Sequence, residues 1–211
     1  MLDKSVNDFL RRLSSKEPVP GGGSVAALLG SMCCALGDMV CNLTIGKVKY
    51  SEYDYINQQI RSKLYDLQNE FNDLCYQDIE VFNRLVNTYK LPGITSEEIE
   101  YKEKVMTPLI YDAISVPISV MKKSVESLQY IDELKNHSSK LAISDIGVAV
   151  SCAKSCLESA AMNVYINTSM LSDKNRSKEI NNEANELLHK GISIANKIYN
   201  EITQILTYQL K

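Results

Sequence analysis

One of the 26 acidic residues in this 211-residue chain stands where a carboxylate is out of place. From Ile60 an apolar stripe runs through Leu64, Leu67, Phe71 and Leu74, and resumes at Phe82, Leu85 and Tyr89. Steps of three and four put residues on one face of an α-helix. The step after Leu74 falls on Asp78, which is therefore predicted to face the core. An ionised carboxylate buried there needs an ion pair or hydrogen bonds, or else keeps its proton through a raised pKa. Two readings stay open: a proton-exchanging site, or a structural aspartate paired with a lysine or capping a neighbouring helix.

A second feature is the turn Pro20-Gly21-Gly22-Gly23-Ser24 ahead of an apolar segment. Free amides and the positive end of a helix dipole at such a place can hold an anion or a carbonyl. The turn has no Gly-Lys-Ser/Thr and no preceding strand, which disfavours nucleotide binding. Ser24 is expected as the helix N-cap. The third feature is a pair, Asp145 and Asn163, 18 residues apart in one helical segment. That is roughly five turns, a shared face about 27 Å long, with Asn167 one turn further. These residues are expected to line an elongated ligand or to serve opposite ends of a dimer groove, the alternative for Asp145 being a mere helix-start charge. Lys47, Lys49 and Tyr50 are candidates for a carboxylate-bearing tail, or else a solvated link.

Other chemistries find little support. The two histidines, His137 and His189, are far apart and suggest no triad, and His137 reads as a loop residue. Cys33, Cys34 and Cys41 share one helix, Cys152 and Cys156 sit one turn apart in another, and no Cys-x-x-Cys occurs. That placement fits neither disulfides nor zinc, so no metal site is expected, and the thiols read as small buried hydrophobes. A net charge of −3 argues against a nucleic-acid partner. The N-terminal residues show no export leader, and a cytoplasmic location is expected.

The elements that must position these residues read as helices throughout, in one domain over residues 1–211. A short amphipathic helix covers 5–13. Ser24 to Ile45 has Asp38 as its only charge and approaches a membrane span in length. Ser24, Ser31, Asp38 and Asn42 nevertheless share one face, so a soluble central helix, with that face turned to something polar, is the better reading. A long helix is predicted over 51–89 and stops at Leu91-Pro92-Gly93. Thr95-Ser96-Glu97-Glu98 reads as a capping box for a helix to about Leu134, broken or kinked near Pro108 and Pro117. Ser144-Asp145 is expected to cap a small-residue helix to Met170, and Ser172-Asp173 a last helix to Leu210. The fold class is thus all-α: a helical bundle with two buried small-residue-rich helices, 24–45 and 144–170, and long amphipathic ones. The 51–89 helix is too long for a compact monomer, so it bends or packs on a second subunit, and a homodimer is expected.

Several stretches can be taken together: Val6-Asn-Asp-Phe-Leu10, Pro20 to Ala27, Asn42 to Lys47, Asp78-Ile-Glu-Val-Phe82 with Tyr89-Lys-Leu-Pro92, Ala113-Ile-Ser-Val-Pro117, and Ser144 to Ala149 with Asn163-Val-Tyr-Ile-Asn167. In order and spacing they resemble the formiminotransferase-cyclodeaminase C-terminal domain family, which includes standalone cyclodeaminase and methenyltetrahydrofolate cyclohydrolase proteins. The resemblance implies an all-helical homodimer acting on tetrahydrofolate one-carbon units, with no cofactor beyond the folate substrate. It implies a cyclohydrolase that converts 5,10-methenyltetrahydrofolate to 10-formyltetrahydrofolate by carboxylate acid–base catalysis, or alternatively a formiminotetrahydrofolate cyclodeaminase. Asp78 and Asp145 would then be acid–base groups, with Gly21, Gly22, Gly23, Ser24, Asn163 and Asn167 positioning the pterin. Lys47, Lys49 and Tyr50 would meet the glutamate tail. Tyr76 stands where many members carry an acid and Asp38 where a small residue is expected, which leaves the choice of reaction open, and the Tyr76 departure keeps a non-catalytic scaffold or partner subunit as a third reading.

Overall fold

The computed structural model describes residues 2 and 4–208. It consists of helices α1 (Val6–Leu13), α2 (Gly22–Asn42), α3 (Asp54–Tyr89), α4 (Ser96–His137), α5 (Ile143–Ser169) and α6 (Lys174–Tyr208), with no strand among the described residues. The expected last residue of α6, Leu210, lies outside the described residues. α2 lies between α3 and α5, α4 packs along α3 and α5, and α6 closes the bundle on α5 and α4.

Local chemistry sets most of the boundaries. Ser5 caps α1 by accepting the Asp8 amide, and Arg11 and Arg12 sit in its last turn, where cations suit the helix dipole. Thr95 and Glu98 form the expected capping box of α4. Asp173 accepts the Arg176 amide at 3.0 Å at the start of α6.

Five expectations about these elements are corrected. Ser24 is not the N-cap of α2; Gly21 is. Ser24 falls in the first turn because its hydroxyl is drawn sideways to α3 (below). α2 also stops at Asn42, not Ile45: Thr44 Oγ1 donates to the Val40 carbonyl at 2.8 Å, and Gly46, at φ +79°, turns the chain in a conformation suited to glycine. α5 starts at Ile143, ahead of the expected Ser144-Asp145 cap. A 3-10 turn over Lys140–Ala142 winds directly into it, so no side chain caps it. α4 continues as one helix through Pro108 and Pro117, because packing against four neighbouring helices outweighs a cost of about 3 kcal/mol per proline. His137 is the last residue of α4, not a loop residue, and its ring stacks on Tyr53 with centroids 4.7 Å apart.

The long α3 needs neither a bend nor a second subunit to be accommodated. Its 36 residues, roughly 54 Å, lie along the 42 residues of α4, roughly 63 Å.

The polar face of α2 turns onto α3 from Ser24 to Asp38, while Asn42 at its end stays exposed. Ser24 Oγ donates to Asp78 at 2.7 Å and Ser31 Oγ to Asn72 at 2.8 Å, while Asp38 accepts from Arg61 at 3.1 Å and from Asn42 at 3.3 Å. α2 and α3 are therefore antiparallel and very close. A Cβ on Gly30 would lie 2.4 Å from the Phe71 ring, and one on Gly37 2.6 Å from Leu64 and Ile131. The outward face of α2 is the apolar one: Val25, Leu29, Met32, Leu36, Met39 and Leu43 recur at alternating steps of four and three, with Met32 43%, Met39 37% and Leu43 46% exposed. By length and composition α2 could cross a membrane, yet its polar residues are engaged by α3.

All six cysteines are free thiols; five are buried and Cys152 is half-buried. Burial pushes the thiols of Cys41 and Cys156 up to about 12.

Candidate active site

Asp78 lies at the head of α2. Its Oδ2 accepts the Ser24 hydroxyl at 2.7 Å, and its carboxylate also accepts the Ser24 backbone amide. The amides of a helix's first turn have no partner within the helix, so a carboxylate there caps it and meets the positive end of its dipole. Gly23 makes this approach possible. A Cβ at that position would stand 2.0 Å from Asp78 Oδ1 and 2.6 Å from Cγ. Gly22 meets Asn163 at an ordinary 3.6 Å, and Gly21 has open space around it. Burial raises the Asp78 pKa above the ordinary 3.8, and the two Ser24 hydrogen bonds oppose that rise. Beneath it, Cys75 Sγ donates to the Ser24 carbonyl at 3.7 Å, and burial, with the Asp78 charge adding, lifts its thiol to about 11.

A cavity of about 170 Å³ opens beside Asp78 between α3, α4 and α5. Its polar end holds Asp78, Asn163 and Asn167. Its walls are Val81, Phe82, Leu85, Tyr89, Ala113, Val116, Ile166 and Met170. Asn163 Nδ2 donates to the Ser159 carbonyl at 2.8 Å, and Asn167 Nδ2 to the Ala113 carbonyl at 2.7 Å. Tyr89 Oη donates to Met170 Sδ at 3.7 Å, tying α3 to the C-terminal end of α5 across the walls. The result is a slot sized for a flat ring, apolar along its sides and able to exchange a proton at one end.

The remaining candidates lie at the other end of α5. Asp145 is half-buried in the first turn of α5, 18 residues before Asn163. Lys47 and Lys49 are exposed. Tyr50 Oη accepts the Lys140 amide at 3.3 Å, which holds the phenol below its usual pKa. Lys49 Nζ sits 5.5 Å from the Tyr50 ring centroid. An open cleft of about 370 Å³ is lined there by Lys49, Tyr50, Lys135, Lys140 and Tyr208, among others. Lys135 is held by Asp132 and Glu201. Within one chain, then, Asp78, Asn163, Asn167 and the glycine turn come together, and Asp145, Lys47, Lys49 and Tyr50 do not join them.

Sequence reasoning missed the cavity walls. Phe82, Leu85 and Tyr89 read as core because they continue the stripe, and only the neighbouring helices turn that stretch into a wall. Among the described residues, no three His, Cys, Asp or Glu side chains converge as metal ligands would.

An all-helical domain with a carboxylate capping one helix over an apolar slot defines the class. Residues 5–186 match the family described as Formiminotransferase-cyclodeaminase, and the chain belongs to it. A methenyltetrahydrofolate cyclohydrolase of Methylorubrum extorquens is 34% identical over 200 residues, 95% of this chain and 96% of that protein. The formimidoyltransferase-cyclodeaminase of Gallus gallus is 27% identical over 90% of this chain, which spans 35% of that relative's length. The crystal structure of formiminotetrahydrofolate cyclodeaminase from Thermotoga maritima superimposes with a TM-score of 0.86 at 23% identity, over 98% of this chain and 100% of that one. It shares the fold.

Proposed function

We propose that this chain is a methenyltetrahydrofolate cyclohydrolase, hydrolysing 5,10-methenyltetrahydrofolate to 10-formyltetrahydrofolate. The observation that carries the reading is Asp78: a carboxylate of raised pKa, fixed by Ser24, at the mouth of a slot with apolar walls. Near full-length similarity to a cyclohydrolase supports the substrate. The bridging carbon of the substrate is part of an amidinium cation and is already electrophilic, so the chemistry asks for no group beyond the folate itself. Water adds to that carbon, and Asp78 takes the proton the water loses. That proton then goes to N5, whose bond to the carbon breaks as the adduct's hydroxyl releases its own proton to solvent and becomes the carbonyl, leaving the formyl group on N10. The carboxylate also stabilises the cation before attack. Gly21 to Ser24, with Asn163 and Asn167, hold the pterin.

Asp145, Lys47, Lys49 and Tyr50 enter this reading through a second copy. The outward α2 seam, from Val25 to Leu43, has the alternating spacing of helix–helix packing. A two-fold pairing of such seams is isologous. Run antiparallel, it sets the C-terminal end of one α2 beside the N-terminal end of the other, and so brings the partner's Asp145 and lysines toward the Asp78 slot. Asp145 then serves as the second acid–base group, and the lysines meet the glutamate tail. Light scattering on the purified chain should give a dimer, and Met32→Glu with Met39→Glu should give a monomer. We place the protein in the cytoplasm, a reading supported by its six unpaired thiols.

The test of function is the long-wavelength absorbance of methenyltetrahydrofolate on adding the protein. Loss faster than the buffer blank supports the cyclohydrolase, and no acceleration overturns it. The similarity to cyclodeaminases favours a second reading, formiminotetrahydrofolate cyclodeaminase. It is tested by a rise in the same band from formiminotetrahydrofolate, with release of ammonia.

A further inference from the structure

In an α-helix the carbonyl of residue i accepts the amide of residue i+4. For Ala113 that residue is Pro117, which has no amide hydrogen. The sequence itself thus releases the Ala113 carbonyl from the helix ladder, and Asn167 of α5 takes it, donating Nδ2 at 2.7 Å. Ala113 and Asn167 line the cavity beside Asp78, whereas Pro117 is buried and does not. The orientation of the amide follows. Turned over, Asn167 would set its oxygen against the Ala113 oxygen, so the nitrogen must face α4. The carbonyl oxygen Oδ1 is left as an unspent acceptor at the cavity. Asn163 has the same polarity, with Nδ2 on the Ser159 carbonyl. Together with the Asp78 carboxylate, the polar end of the slot is rich in acceptors.

We infer that Pro117 is a positioning residue: it frees the Ala113 carbonyl to fix Asn167, so that Asn167 offers its oxygen to an N–H-bearing or cationic edge of the ligand. The identity of that ligand rests on the folate reading, and the pterin's amino edge and its cationic bridge both have this chemistry. The fixing of Asn167 rests on geometry alone. Pro108 supplies the contrast within the same helix. The carbonyl it releases, on Lys104, belongs to an exposed stretch.

The experiment is Pro117→Ala in the full chain. Alanine restores the amide, the Ala113 carbonyl regains its ladder partner, and Asn167 is released. The variant should fold with an unchanged or higher Tm, since alanine is the better helix residue. The Asn167 side-chain amide signals, assigned by their absence in Asn167→Leu, should move in the ¹H–¹⁵N spectrum. KM for methenyltetrahydrofolate should rise about five- to tenfold with kcat little changed, as expected for one lost binding contact. Asn167→Leu should raise KM by a similar factor, and the double variant no further than either single one. Pro108→Ala should change neither signals nor KM. Pro117→Val, closer in volume, gives the same readouts if the smaller alanine unsettles the fold. Unmoved Asn167 signals in Pro117→Ala, or KM effects that multiply in the double variant, overturn the inference. The spectrum decides without turnover, so a chain inert toward folates would sink the proposed function and leave this inference to the amide signals.

Discussion

The two ends of α5 are built differently. At the Asn163 end, Asp78, Ser24, Asn163 and Asn167 are tied to one another or to main-chain carbonyls, and rigid apolar walls surround them. At the Asp145 end, Lys47 and Lys49 are exposed, and the underlying layer holds buried polar atoms without partners: Asn57 Oδ1, His137 Nδ1 and Ser138 Oγ. Buried polar atoms are nearly always hydrogen-bonded in finished protein interiors. The polar side chains of the first end are held in place by hydrogen bonds within one chain. The second is open at its lysines and less fully hydrogen-bonded beneath them.

Substitutions at the two ends can break or sharpen that contrast. The largest effect is expected from Asp78→Asn, which should lower turnover of methenyltetrahydrofolate on the order of 10³-fold. It should also raise Tm at neutral pH. Burial holds the Asp78 pKa above the 3.8 of the free group. As pH rises, the unfolded chain therefore releases this proton first, and stability is lost from that point up to the folded pKa. The gain in Tm from Asp78→Asn should accordingly fade as the pH is brought below 3.8. A Tm gain independent of pH would break the argument.

Gly23→Ala comes next. Its methyl group must displace the carboxylate, costing about 1–3 kcal/mol in denaturant unfolding and about 10²-fold in kcat/KM. Ser24→Ala is milder. It removes a hydrogen bond that lowers the Asp78 pKa, so the acidic limb of the kcat/KM profile should move to higher pH, with about a tenfold loss on the acid side. Lys49→Ala should be smallest, within about threefold in KM, because an exposed charge contributes little. A Lys49 effect that equals that of Gly23→Ala would erase the difference between the ends.

How much of this was legible in the sequence follows from what sets each feature. Asp78 could be read because the stripe around it is regular, and a carboxylate in an apolar series is a local signal. The helices were legible for the same reason, down to the capping box at Thr95 and Glu98. The direction of the polar face of α2 was not, since Ser24, Ser31, Asp38 and Asn42 look the same whether they face a ligand or the side chains of α3. Ser24 was misread as a cap because propensity sees the helix start and not the carboxylate that arrives from 54 residues away. Pro117 reads in the sequence as a break or kink, and that α4 continues through it was hidden for a related reason. The group that takes over its lost hydrogen bond, Asn167, lies 50 residues further along. The slot itself exists only where three helices meet.

The five thiols closed inside the bundle can also be used as clocks. Cys33, Cys34, Cys41 and Cys156 belong to α2 and α5, and Cys75 sits under the Asp78 carboxylate. Shielded from solvent, they react with an alkylating reagent only when the layer around them opens. The labelling rate at Cys75, set against those at Cys41 and Cys156, would time how often the floor of the slot breathes apart from the rest of the bundle.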